Sequence, residues 1–516
     1  MSNANRRNWT YPAESNQSTL RAMASVMPPT TTALRDAVTG GSGPLYKRLA
    51  AAIEATIATG AHPVGSKLPP ERSLAADLGV ARVTVVAAYD LLREDGIVER
   101  RRGSGTIVAA RPPGASPFAG VGLRRVLAGT ALVPGEMLTT SRDDIAFSIA
   151  GMPGHEDLLT AATRFVLEEL PRLVTGFGYA PAGHEPLRHA IADRYTRRGL
   201  PTTADEIVVT TGGQQALMLI ASVLVGSDSV ALTDDPTYPG ALDALRAVGA
   251  RVVGVPTDAA GMRPDLLTEA IARWRPRLVY LVATHHNPTG VTMPVERRRQ
   301  LAAIAERHGV TIVDDLALAG LGLDETPEPP PLAALAPDAG IVTVGSISKL
   351  LWGGLRVGWL RAPVEFTQQV VRLKLAVDHG GSIVSQGIAT PFIERLDEIA
   401  ASRRERLATG CATVLDELRQ RLPEWRFTRP TGGLSVWVRI PRGTATTLAE
   451  LAAAHGVIIV PGPTFSPSGG SADRLRLPYG DDPAAMREGI RRLAAAWEAY
   501  RPLAAAPERP SMRIVV

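Results

Sequence analysis

From residue 143 onward, short apolar runs alternate with longer amphipathic stretches, and this alternation is the strongest restriction on the fold. Six runs read as strands: Glu206–Thr211, Val230–Thr233, Arg251–Val255, Leu278–Ala283, Val310–Asp314 and Ile341–Val344. Helical segments separate most of them. Strands buried on both faces read as continuous apolar runs, and parallel neighbours need a long crossover, usually a helix. The pattern predicts an α/β unit with a large, mostly parallel sheet covered on both faces. From about residue 400, a helix, a strand region around Gly432-Gly433 and a last helix, Pro483–Tyr500, predict a smaller α/β lobe.

The chain before that point has a different texture, and 516 residues are too many for one core. Residues 1–43 are polar and weakly periodic, which predicts a tail with at most one short helix near Thr32–Val38. Leu45, Leu49, Ile53 and Ile57 then recur every fourth residue, the mark of a helix burying one stripe. Pro69-Pro70 precedes a short helix, Glu71–Leu78, stopped by Gly79. A third helix spans Arg82–Glu94 and closes at Asp95-Gly96; Ile97–Val108 reads as two strands around a Gly-rich tip. Residues 44–110 thus form one small α+β domain. Residues 111–142, opening Arg-Pro-Pro-Gly, read as a linker to the domain at 143–516.

Composition excludes more than it selects. A net charge of +5 is compatible with nucleic acid without arguing for it. The single cysteine, Cys411, rules out an internal disulfide framework and a Cys-cluster metal site. The start, Met1–Pro12, lacks an apolar signal core, and the longest apolar run, Ala216–Val225, is too short to span a bilayer. These features lead us to expect a cytoplasmic protein. His285 and His286 are adjacent, so they do not converge on a metal ion.

The small domain carries a DNA-reading pattern. A helix-turn-helix sets the start of its second helix against base edges in the major groove. Gly79 supplies the turn, and Arg82 and Thr84 open the helix after it. Arginine pairs with guanine, and threonine bonds phosphate or touches a thymine methyl. Arg72 is placed for a phosphate, and Arg100, Arg101 and Arg102 stand beside Gly103 and Gly105 at the hairpin tip. The strings Leu68-Pro69-Pro70-Glu71-Arg72-Ser73-Leu74-Ala75, Leu78-Gly79-Val80-Ala81-Arg82-Val83-Thr84-Val85 and Arg102-Gly103-Ser104-Gly105-Thr106 resemble the GntR-type winged helix-turn-helix. The resemblance implies DNA contacts at Arg72, Arg82, Thr84 and Gly103, with Arg102 beside them on the wing. The chain departs from it at Ala81 and Val83, where a hydroxyl residue and a polar residue are usual.

The second signal is Gly345-Ser346-Ile347-Ser348-Lys349, followed by Gly354-Leu355-Arg356-Val357-Gly358. Lys349 follows an apolar strand and precedes Leu350, Leu351 and Trp352. Desolvation disfavours its charged form and leaves an amine able to form a Schiff base. Ser346 and Arg356 supply donors for a phosphate, and Gly212-Gly213-Gln214 opens a helix whose first amides are free to hold one. Asp314, ending an apolar run, is read as the partner of a pyridinium nitrogen. Asn287 in Asn287-Pro288-Thr289-Gly290 is read as reaching a phenolic oxygen, and Tyr238 as stacking on a ring.

Together these strings resemble the fold-type I aminotransferases, and the fusion resembles the MocR group, over residues 44–110 and roughly 143–500. The resemblance implies pyridoxal 5'-phosphate held as an internal aldimine on Lys349. It implies Asp314, Asn287, Tyr238, Ser346, Arg356, Gly213 and Gln214 as its other contacts. It also implies a head-to-tail homodimer in which Tyr179 reaches the neighbour's phosphate, and Arg476 as the binder of an effector carboxylate. One position departs: the tyrosine usual just after the pyridine-binding aspartate is absent, and Leu316, Ala317 and Leu318 follow instead. The implied function is a transcription regulator that binds promoter DNA and senses an amine, an amino acid or the cofactor itself. The alternative is an aminotransferase with an accessory DNA-binding domain.

Overall fold

A computed structural model of the chain describes residues 34–35, 44–58, 62, 65–94, 97–101, 105–108, 144–227 and 229–501. The chain forms two compact units, residues 1–125 and 126–516.

In the first unit, helices Leu45–Ala58, Glu71–Leu78 and Arg82–Glu94 stand where the sequence predicts them. The second follows Pro70 and carries Glu71 in its first turn, which suits the positive end of the helix. It ends at Gly79, whose φ of 67° needs a residue without Cβ. The helices bury Leu49, Ile53, Leu74, Val85, Tyr89 and Leu92 in one core. The antiparallel hairpin Val98–Arg101/Gly105–Val108 closes it with Val98 and Val108. Part of the predicted tail belongs to this core: Leu34 is 5% exposed within it, and Arg35 donates to the Asp77 carbonyl at 3.1 Å. Most of the predicted tail and the whole linker lie outside the described residues.

The second unit is built on an eight-stranded mixed sheet. Ile341–Ser346, Thr311–Asp315, Leu278–Leu281, Val230–Asp235 and Arg251–Asp258 run parallel, in that spatial order. Gly261–Met262 folds back along the far edge. The sequence pattern missed Gly358–Arg361, which lies antiparallel between Ile341–Ser346 and Ile207–Thr210. Four residues opening on glycine carry too little apolar periodicity to be read as a strand. Their insertion presses Trp359 so close to Gly345 that any Cβ there would lie 2.2 Å from the indole.

The small lobe is a second sheet, Arg426–Phe427, Ser435–Arg439, Arg474–Pro478 and Val460–Pro461, carrying helices Ala445–Ala454 and Pro483–Ala499. It does not begin only near residue 400. Ile145–Ala146, at the front of the unit, pairs in parallel with Val457–Ile458. Among the described residues, no helix is long and apolar enough to cross a membrane.

The loop after Leu278–Leu281 is fixed from beneath by Arg298, whose side chain is fully buried. Its guanidinium donates to the carbonyls of Met293, Ala283 and Pro330 at 3.0, 2.9 and 3.0 Å and to Thr284 Oγ1 at 2.9 Å. Arg298→Met keeps much of the volume but strands those acceptors out of water. We expect it to destabilise the second unit by about 3 kcal/mol or more. Calorimetry of the full chain should show one transition moving down, and an unchanged transition would rule the clamp out.

Candidate functional site

The parallel strands deliver their C-terminal ends to one region, where open α/β sheets bind ligands. Two cavities meet there, of about 320 and 170 Å³, and both are lined by Lys349, Asn287, Tyr238 and Gln214. Gly213, Ser346 and Arg356 line the smaller one, and Arg476 lines the larger. The structure thus brings together eight of the sequence-predicted residues.

Lys349 follows the strand Ile341–Ser346, and its Nζ donates to the Ala150 carbonyl at 2.8 Å. Burial, with Arg476 and Arg356 nearby, pulls its amine down to about 8. A group at that value is far more often neutral at pH 7 than an ordinary lysine. Arg476 comes from the small-lobe strand Arg474–Pro478 and donates to the Ser148 carbonyl at 2.6 Å. Its guanidinium lies 5.1 Å over the Phe465 ring and 3.5 Å from Asn287 Oδ1. Burial lowers it to about 10, and its buried Nε has no partner in the protein. Such a group is primed for an anion that restores the lost solvation.

The other end of the pocket suits a phosphate. Gly212 and Gly213 lead into helix Gly213–Leu224, and the first amides of a helix have no intrahelical acceptor. The backbone there is tightly cradled: a Cβ on Gly358 would lie 2.7 Å from the Gly213 nitrogen. Arg356 donates to the Thr211 carbonyl at 2.8 Å, bringing its charge to the same turn. Ser346 Oγ accepts from the Ser348 amide at 3.2 Å, and the buried Ser348 hydroxyl is unpaired. Tyr238 donates to Gln214 Oε1 at 3.1 Å, and burial pushes its phenol up to about 12.

The structure corrects one assignment. Asp314 does not face the pocket. Neighbouring residues of a strand point to opposite faces. Val313 packs on the face of helix Gly213–Leu224, beside Val342, Val344 and Leu217. Asp315 shares that face and lines the smaller cavity, whereas Asp314 shares the face of Ile312. Asp314 accepts from the Leu332 amide at 3.1 Å, and burial pushes its carboxyl up to about 6 against the pull of Arg298. Asp315 accepts from the Ala317 amide at 2.9 Å and from the Tyr280 hydroxyl at 2.8 Å. Burial raises its carboxyl too, with those hydrogen bonds and Lys349 opposing. Strand parity separates the two carboxylates, but with Ile312 and Val313 both apolar it does not say which of them faces the pocket. Tyr280 carried no such signal.

Tyr179 stands outside this pocket, 77% exposed, with its ring 5.8 Å from that of His379. His285 and His286 line the larger cavity, engaged with Glu328 and Thr292 and with Thr289 respectively. The departure near Asp315 is real in space: Ala317 and Leu318 line the smaller cavity. The donor set fits pyridoxal 5'-phosphate: a helix start, a serine and an arginine for a dianion, a buried carboxylate for a ring nitrogen, and a lowered amine for a carbonyl.

In the first unit Arg72 and Arg82 are exposed, and Thr84 is half-buried at the start of Arg82–Glu94. Arg82 pairs with Glu71 at 3.1 Å, on a surface open to solvent. Arg102 and Gly103 lie outside the described residues.

The sequence matches the aminotransferase class I and II family over residues 158–493 and the bacterial regulatory proteins of the gntR family over residues 45–108. The HTH-type transcriptional regulator TauR of Rhodobacter capsulatus is 31% identical over 89% of this chain and 97% of its own length. The probable rhizopine catabolism regulatory protein MocR of Rhizobium meliloti is 29% identical over 90% and 96%. Among solved structures, the α-aminoadipate aminotransferase LysN of Thermus thermophilus, complexed with N-(5'-phosphopyridoxyl)-L-leucine, matches with a TM-score of 0.67 at 32% identity. That match covers 74% of this chain and 97% of LysN, whereas the two regulators run through both units. A gntR-type helix-turn-helix and an aminotransferase-type domain with a lysine pocket that fits pyridoxal phosphate, joined in that order, place the chain among the MocR-type regulators of the gntR family.

Proposed function

We propose that this regulator senses a small amine or amino acid in the pocket around Lys349 and passes its occupancy to promoter DNA held by the first unit. The observation that carries the proposal is Lys349 itself: an amine of lowered basicity shared by a phosphate-suited cavity and an arginine-lined one. When bound, pyridoxal phosphate supplies an electrophilic carbonyl carbon. Gly213 and Gln214 amides, Ser346 and Arg356 would hold its phosphate, with Tyr238 against the ring and Asn287 at the phenolic oxygen. Asp315, rather than Asp314, would hold a proton at the pyridine nitrogen. Arg476 would grip the carboxylate of an incoming amino acid, whose amine competes with Lys349 for the same site. A ligand can move the DNA equilibrium only by its differential affinity for two conformations. The apolar Ala317 and Leu318 at the ring's rim favour sensing over fast turnover.

A homodimer is part of this reading. Phe165, Leu167, Val174, Phe177 and Tyr179 are all exposed, Phe177 at 98%. Exposed large apolar side chains gathered on one stretch of chain support burial against a second copy of the chain. Tyr179 would then serve the neighbour's phosphate.

Three tests follow from these assignments. Lys349→Ala should lose the visible absorption of the pyridoxal-bound protein and any amine effect on operator affinity, while still binding DNA. In the unaltered chain freed of cofactor, the rate of cofactor uptake should climb about tenfold per pH unit and level off above about 8, where Lys349 has lost its proton. Retention of the band in the variant would refute the lysine assignment.

Asp315→Asn should weaken cofactor retention at least about tenfold, and Asp314→Asn should leave it near normal. The second variant should differ in stability instead. A carboxyl whose folded value is raised from 3.8 to about 6 destabilises the fold increasingly as pH climbs through that window. Asp314→Asn should therefore gain on the parent from pH 4 to pH 7 in denaturant unfolding. Loss of cofactor from Asp314→Asn with none from Asp315→Asn would reverse the assignment.

Phe177→Glu should shift sedimentation toward the monomer and weaken cofactor binding together, since Tyr179 would lose its target. A dimer unaffected by that charge would place the interface elsewhere.

A further inference from the structure

The helix Arg82–Glu94 turns Val85, Ala88, Tyr89 and Leu92 into the core of the first unit. Its opening does the reverse: Ala81, Arg82 and Val83 are three consecutive exposed residues. Val83 is 71% exposed, and among the described residues of this unit no other large apolar side chain is exposed. Nothing in the fold accounts for it. A β-branched residue on a helix surface loses rotamer freedom, and an exposed valine gains no burial. Next to it in sequence is a charged side chain, the exposed Arg82, which is paired to Glu71 at 3.1 Å, and Arg72 on the preceding helix is exposed as well.

Two requirements meet at this spot. Arg82 at the helix start suits the phosphates and guanine edges of DNA, and Val83 next to it in sequence suits an apolar group. In the major groove of DNA, the thymine 5-methyl group meets both, because it is the one apolar feature among the donors and acceptors of the base edges. We infer that Val83 reads a thymine methyl next to the base pair contacted by Arg82, so that this chain's departure from the usual polar residue is a specificity determinant. The inference rests on the DNA-binding reading of the first unit and adds the base class that one residue selects. An apolar side chain there also leaves the donors and acceptors of a G·C pair unpaired, which disfavours that pair at the contacted step.

The test uses the full-length chain and an operator selected from random duplexes. Each thymine of the selected site is replaced in turn by deoxyuridine, which removes only the methyl group. The expected result is one thymine per half-site whose replacement weakens binding about threefold to tenfold, the worth of one buried methyl. Val83→Ala should bind the thymine and deoxyuridine operators within about twofold of each other. Val83→Thr, which keeps a γ-methyl group, should retain the preference. Circular dichroism reports whether the variants are folded, and a surface position gives no reason for them not to be. Indifference of the parent chain to every deoxyuridine, or an equal penalty in Val83→Ala, overturns the inference while leaving DNA binding intact. A chain that binds no duplex overturns the DNA-binding reading along with it.

Discussion

The pocket depends on one geometric rule, that adjacent residues of a β-strand face opposite sides of a sheet. At the end of Thr311–Asp315 the rule separates two carboxylates that the chain places side by side. Asp315 goes to the cavity with Lys349, tethered by Tyr280 and the Ala317 amide. Asp314 goes to the other face, onto the start of Leu332–Leu335 and into the field of Arg298. One residue of slippage would exchange a pocket carboxylate for a structural one and turn Val313 to the wrong layer.

The same rule marks the limit of what could be read in advance. Strands such as Val230–Asp235 and Ile341–Ser346 were legible because continuous apolar runs mark burial on both faces. That continuity also erases the alternation that would say which face each side chain takes, so Asp314 and Asp315 could not be told apart. Gly358–Arg361 and Ile145–Ala146 were hidden for a different reason. Each is short, and its pairing is decided by partners far away in sequence, most of all Ile145–Ala146 with Val457–Ile458. In the first unit nearly every boundary was visible, because Pro70 and Gly79 act through local backbone chemistry. Leu34 was not, since a lone leucine in a polar stretch carries no periodicity.

Lys349 and Arg476 reach the pocket from different lobes and are tuned by the same cause. Burial makes the charged form of each more costly, and the proximity of the two cations strengthens the effect on the lysine. The polar groups left without partners nearby, Ser348 Oγ and Arg476 Nε, mean that the pocket's own residues leave it electrostatically unfinished. A phosphate and a carboxylate are the complements that would complete it.

Both of those cations are already answered, in part, by one short stretch of backbone. The Ser148 carbonyl sits on Arg476 and the Ala150 carbonyl on Lys349, within three residues of each other. A carboxylate arriving at Arg476 finds Nε without a partner but an outer nitrogen held by a carbonyl, and an aldehyde arriving at Lys349 finds its Nζ held likewise. Both carbonyls belong to the turn and the residues just after it that follow Ile145–Ala146, the strand stitched to the small lobe. The two cations of the pocket are thereby tied to a single stretch of main chain, so a change at either one bears on the same few residues.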